Sequence, residues 1–212
     1  MNSVAGFGTT KRYAGSSELG MSITVLGTGL SGEAGGGLDA NGSGTVFGFT
    51  NTIDRVVLLG GPYGSGGLLI YDFDNGLASK NSLAVSAAYD AFGQPVGGSG
   101  NILGSGSSAT MTSLEGTTAL GDSGGPAYAD FGNGPELVGI VSWGANPTEP
   151  GNLYGSGYGD VGYLMRVSAL NGWITGVIPE PGTFMMAAAG MLGFLGKRRR
   201  TSADSQEKAT VP

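Results

Sequence analysis

The residues best suited to chemistry in this chain lie in the run Gly121-Asp122-Ser123-Gly124-Gly125-Pro126. Small residues on either side let the backbone turn sharply around Ser123, so that its hydroxyl stands clear while adjacent N–H groups converge on a substrate oxygen. Such a hydroxyl becomes a useful nucleophile when a neighbouring base takes its proton, and the commonest base is an imidazole. The chain contains no histidine. A lysine base is conceivable, but the body offers only Lys11 and Lys80, neither set in a recognisable motif. Asp72 and Asp74, in Tyr71-Asp72-Phe73-Asp74-Asn75-Gly76, could accept a cation, yet the string fails the calcium-loop spacing and reads as a solvated turn. We therefore expect no metal site and no cofactor.

The elements that must position Ser123 are short strands. Forty-four glycines among 212 residues and only 12% charged side chains disfavour helices, because each glycine costs a helix interior about 1 kcal/mol. With cysteine absent, the core must hold without disulfides. Candidate strands cover 21–26, 45–49, 55–59, 68–71, 82–88, 109–114, 136–143 and 163–167, separated by Gly, Asn and Pro clusters. Regular short strands predict a mostly β fold, a single antiparallel β-barrel. The Gly/Ser-rich stretches 29–44 and 93–108 are expected as long loops or edge hairpins, and 167–175 as a short closing helix with Leu170 and Trp173 on one face. Gly27-Thr28-Gly29-Leu30-Ser31-Gly32 fits a dinucleotide-binding turn, but the glycine-rich sequence after it makes a poor helix and no strand–helix alternation follows. Up to residue 178 there are five Lys/Arg against thirteen Asp/Glu, a net charge of −8, while the remaining tail carries +2. An acidic body with few arginines opposes nucleic-acid binding, which draws on cations that neutralise phosphates.

The Ser123 run, followed by Leu137-Val138-Gly139-Ile140-Val141-Ser142-Trp143-Gly144 and then by Gly162-Tyr163-Leu164-Met165-Arg166-Val167 with Trp173-Ile174, resembles the trypsin (chymotrypsin-like) family of serine proteases. Taken alone, the glycine string could be an ordinary turn; three motifs in family order make the resemblance. It implies that Ser123 is the nucleophile, that the amides of Gly121 and Ser123 form the oxyanion hole, and that Ser142, Trp143 and Gly144 pair with the backbone of a peptide or protein substrate. It further implies that Thr117 lies at the base of the specificity pocket, where trypsin has an acidic residue, and that Gly144 and Gly162 form its walls. Without that acidic group no preference for Arg or Lys is expected. Asp122 matches the aspartate that pairs with a new N-terminal amine in activated relatives. The family has two barrels, with the triad His and Asp on the first. Val4-Ala5-Gly6-Phe7-Gly8-Thr9-Thr10 resembles the strand that opens the second. The expectation is a C-terminal barrel, spanning 1–178, whose partner barrel lies outside this sequence and which is inactive alone.

After the body come Pro179-Glu180-Pro181, an apolar run at 182–196 and Lys197-Arg198-Arg199-Arg200, which together resemble the PEP-CTERM sorting signal of Gram-negative bacteria. Fifteen residues make a helix of roughly 22 Å against a hydrocarbon core of about 30 Å, a gap that snorkelling basic side chains can cover. The basic cluster would stay cytoplasmic and the barrel would face the periplasm. The resemblance implies an inner-membrane transmembrane helix, handling by an exosortase, and delivery to the cell surface or extracellular matrix. Residues 201–212 read as a polar, disordered tail. The start of the chain lacks the features of a secretory signal peptide, which suggests a natural N-terminus upstream of Met1. The competing reading is a non-catalytic surface binding or structural module derived from a protease barrel.

Overall fold

Alternation of apolar and polar residues builds the strand β2 (Ser22–Gly27), in which Ile23 and Val25 are buried while Ser22 and Thr24 face solvent. β7 (Gly66–Asp72) is apolar along most of its length and buried on both faces. Its Leu69 and Tyr71 join one core with Ile23, Val25, Val138 and Leu164, and its Leu68 and Ile70 join a second with Val161, Tyr163 and Leu83. The computed structural model describes residues 10–33, 37–39, 44–59, 66–83, 107–108, 110–145 and 157–177. Among these, the remaining strands are β1 (Lys11–Arg12), β3 (Ser31–Glu33), β4 (Gly37–Asp39), β5 (Phe47–Thr52), β6 (Arg55–Leu59), β8 (Pro126–Asp130), β9 (Pro135–Ala145) and β10 (Val161–Arg166).

Eight strands form one sheet, in the order β5-β2-β8-β9-β10-β7-β6 with β1 added in parallel to β9, and β3 pairs with β4 in a separate hairpin. The fold is mostly β, but the expected barrel is not closed. Closure would need a ladder between the edge strands β5 and β6. Those strands are joined by Ile53 and Asp54, so the sheet curls until its edges meet at that corner. Near it Asn51 Nδ2 on β5 donates to Asp72 O at the end of β7 and to Gly116 O, both at 2.9 Å.

The expected strands at 21–26, 55–59, 68–71, 136–143 and 163–167 lie on β2, β6, β7, β9 and β10, and 45–49 overlaps β5. Of the strand expected at 109–114, the described residues 110–114 form none. Thr112 turns its N–H and Oγ1 onto Glu115 Oε2, both at 2.6 Å, and that local turn wins over an extended strand. Of 82–88, Ser82 and Leu83 lie in a turn and the rest falls outside the described residues, whereas β8 was not expected. The chain divides into two units, Met1–Leu170 and Asn171–Pro212. A 3-10 turn, Ser168–Leu170, ends the first, and the second opens with the helix α1 (Asn171–Val177), where Trp173 is exposed. No helix among the described residues is long and apolar enough to cross a membrane. The expected transmembrane helix at 182–196 and Pro179, Glu180 and Pro181 lie outside the described residues, as does the segment 4–9.

Candidate active site

Ser123 sits on the loop that feeds β8, and the loop is shaped by glycine. Gly121 and Gly124 have φ of 97° and 87°, a region closed to most side chains. The turn is closed by Asp122 N–H to Ala119 O (3.1 Å) and Gly125 N–H to Asp122 O (2.8 Å). It is stitched to β9 by Gly124 N–H to Val141 O (2.9 Å) and Val141 N–H to Gly125 O (2.8 Å). Ser123 is exposed. Among the described residues, neither its amide nor that of Gly121 donates to a protein acceptor, so both N–H groups remain available to an incoming oxygen.

Asp122 anchors the loop from behind. Its Oδ1 accepts from Gly29 N–H and its Oδ2 from Ala119 N–H, each at 2.8 Å, while Leu30 N–H donates to Leu120 O (2.9 Å). In this chain its partners are the two backbone amides of Gly29 and Ala119. Gly29 lies so close to the backbone of Leu120 to Asp122 that a β-carbon would collide with it. This explains a glycine string that superficially fits a nucleotide-binding turn: the chain continues into the β3–β4 hairpin, and the close approach is to the Ser123 loop.

The remaining candidate residues gather beside this loop. Tyr163 pairs with Trp143 and Leu164 with Val141, so Ser142 is the extra residue of a bulge, at the point where the Ser123 loop is stitched on. The β8 ladder ends at the Pro126–Ile140 pair. Beyond it, β9 carries β10 on one side and, among the described residues, no strand on the other, which leaves a ladder edge along Ser142 and Gly144. Trp143 stacks on Tyr163 with ring centroids 4.8 Å apart. Gly144 pairs with Gly162, and Gly162 with Tyr71.

Gly162 has no room for a β-carbon, because the Tyr71 ring occupies that space, and Thr118 Oγ1 lies against Gly144. Thr117 is half-buried near the Tyr71 hydroxyl. Burial pushes the Tyr71 phenol above its usual range despite its proximity to the Thr118 and Thr117 side chains. Among the described residues, neither Tyr71 Oη nor Thr118 Oγ1 has a hydrogen-bond partner. On the Asp122 side of the loop opens a cleft of about 580 Å³, bordered by Gly27, Phe47, Phe49, Glu115 and Thr117. Tyr71 and Gly29 were not singled out from sequence as site residues. A glycine pair directly after a strand was the one readable sign of Gly29, and nothing local marks Tyr71.

Residues 96–174 match the family model described as Trypsin, and residues 177–200 match the PEP-CTERM protein-sorting motif. No curated protein matches the chain. The trypsin match includes Ser123 and strands β8 to β10, while Gly29, Asn51 and Tyr71 lie before its first residue.

Proposed function

We propose, from a chain in which a trypsin-like domain is followed by a PEP-CTERM sorting motif, that this protein is the serine-bearing part of a surface-sorted endopeptidase. The observation that carries the reading is an exposed Ser123 on a loop bent by two positive-φ glycines and tied to two backbone amides through Asp122. In this reading an extended peptide lies along the Ser142–Gly144 edge and Ser123 Oγ attacks its carbonyl carbon. The amides of Gly121 and Ser123 take up the charge that develops on the oxygen. Thr117, Gly144 and Gly162 face the side chain that precedes the scissile bond, and no charged group among them selects a basic residue.

The proton of Ser123 needs an acceptor, and 212 residues without histidine supply no imidazole. Loss of one triad member leaves only roughly 10³- to 10⁴-fold acceleration over water, so the chain alone is expected to be nearly inert. An exosortase that recognises Pro179-Glu180-Pro181 would sort the protein to the surface, with the inner membrane as its first station.

A fluorophosphonate probe tests this directly. Labelling should be very slow for the chain alone, accelerate when free imidazole is added, and vanish in Ser123→Ala. Fast labelling without imidazole would mean that the chain holds its own base, and equal labelling of Ser123→Ala would remove the nucleophile. The second reading, a non-catalytic surface module, is favoured by one observation: the Asp122 carboxylate is satisfied within the chain itself. It predicts cooperative melting with no imidazole-dependent labelling at all.

A further inference from the structure

Gly144 of β9, Gly162 of β10 and Tyr71 of β7 form one row across three strands, with Gly144 paired to Gly162 and Gly162 to Tyr71. Directly paired residues present their side chains to the same face of a sheet. The two glycines therefore leave a slot on the face that carries the Tyr71 side chain, and the chain fills that slot itself. The Tyr71 ring lies across Gly162, with Cζ and Oη at the place a β-carbon would take. At the other end of the slot, a β-carbon on Gly144 would stand 3.6 Å from Thr118 Oγ1. The Tyr71 phenol in turn lies near the Thr117 and Thr118 side chains.

Packing holds the ring where it is. Tyr71 has 0% exposure, and the Phe49 ring backs it at a centroid distance of 5.9 Å. Asn51 Nδ2 donates both to Asp72 O, the next residue along β7, and to Gly116 O, just before Thr117. Those two bonds pin the end of β7 against the segment that leads to Ser123. Gly162 and Thr118 are buried, whereas Gly144 is half-buried and Ser123 is exposed. The row is thus sealed where Tyr71 crosses Gly162 and partly open at Gly144.

We propose that Tyr71 is a size filter: it fills the slot between Gly144 and Gly162, so that a peptide accepted at Ser123 carries Gly, Ala or Ser immediately before the bond to be cut. The filter rests on the reading of Ser123 as nucleophile and of Thr117, Gly144 and Gly162 as the surroundings of that side chain. Two glycine walls by themselves would admit a large side chain, and a tyrosine reaching in from the adjoining strand reverses that. A bulky group would have to displace a closely packed ring, whereas a methyl group needs only the shallow space at Gly144.

Three probes of Ser123 in the full chain, each with free imidazole, form the test. One is a fluorophosphonate without an amino-acid side chain; the others are diphenyl phosphonates that carry a methyl or a benzyl group in place of that side chain. With the phosphonates a Ser123 Oγ–P bond forms, phenoxide leaves and imidazole takes the proton. The methyl probe should label about tenfold or more faster than the benzyl probe. Tyr71→Ala should shift the ratio of the two rates toward benzyl by about tenfold or more, a comparison in which intrinsic probe reactivity cancels. Tyr71→Leu, which keeps more of the apolar volume, serves if Tyr71→Ala does not melt cooperatively. Equal or benzyl-favouring rates in the unaltered chain overturn the filter, as does a ratio that stays level in a cooperatively melting variant. If the fluorophosphonate labels Ser123 while the two phosphonates are not told apart, the filter alone fails. If the fluorophosphonate does not label either, the nucleophile reading falls and takes the filter with it.

Discussion

Asp122 holds the Ser123 loop from two directions, through Gly29 just beyond β2 and through Ala119 at the entry to the loop. Bonds to a charged acceptor contribute about 1.5–3 kcal/mol each, so Asp122→Ala should cost at least about 2 kcal/mol in denaturant unfolding. It should also suppress imidazole-dependent labelling of Ser123. The Tyr71 hydroxyl is buried with no partner among the described residues, so Tyr71→Phe should leave stability within about 0.5 kcal/mol or raise it. Gly162→Ala should cost about 1–3 kcal/mol, because the Tyr71 ring fills the space a methyl group needs. A loss above about 1 kcal/mol in Tyr71→Phe would mean that its hydroxyl is bonded after all. The turn around Ser123 was legible in the sequence because glycine states it locally. Tyr71 was not, because its place beside Gly162 follows from β7–β10 register rather than from any motif.

Between elements, one buried tie is ionic. Glu18, fully buried before β2, accepts from Arg166 Nε at 2.9 Å and NH2 at 2.8 Å on β10, and from Ser168 Oγ at 2.6 Å. Burial alone would raise the Glu18 carboxyl, but these hydrogen bonds outweigh it and hold the group below its ordinary value of 4.5. Its contribution is therefore complete above that value and lost as pH falls through the lowered one. Asp72 has the opposite sign: its raised value favours the fold at low pH, a contribution lost as pH rises through about 7. Unfolding free energy against pH should thus decline on both sides, the acid limb through Glu18 and the neutral limb through Asp72. Glu18→Gln leaves Arg166 buried without its counter-ion and should cost about 3–5 kcal/mol while flattening the acid limb. Strands with clear alternation or a continuous apolar run, such as β2 and β7, were readable. β8 was not, because Pro126, Ala127 and Ala129 give little amphipathic contrast, and 109–114 was misread because the Thr112–Glu115 turn competes with extension.

At the scale of the whole molecule, an acidic body precedes a segment that carries the sorting motif and the basic cluster. A chain ending at residue 178 should melt within about 2 °C of the full chain yet fail to be retained with membranes on fractionation. Retention of the shortened chain would move the anchor into the body. By itself the sequence determined the β class, the acidic balance, the tight glycine turn around Ser123, the absence of histidine and the order of body and sorting motif. Each of these is a matter of residue type and short-range spacing, which fix backbone freedom and charge without reference to the rest of the chain. Only the tertiary structure decided that Asp122 finds an amide 93 residues away at Gly29, that Asn51 on β5 reaches the end of β7, and that Tyr71 fills the space beside Gly162. Those pairings depend on strand register and on where a curled sheet brings its edges, and Gly-rich segments with weak alternation do not specify register in advance.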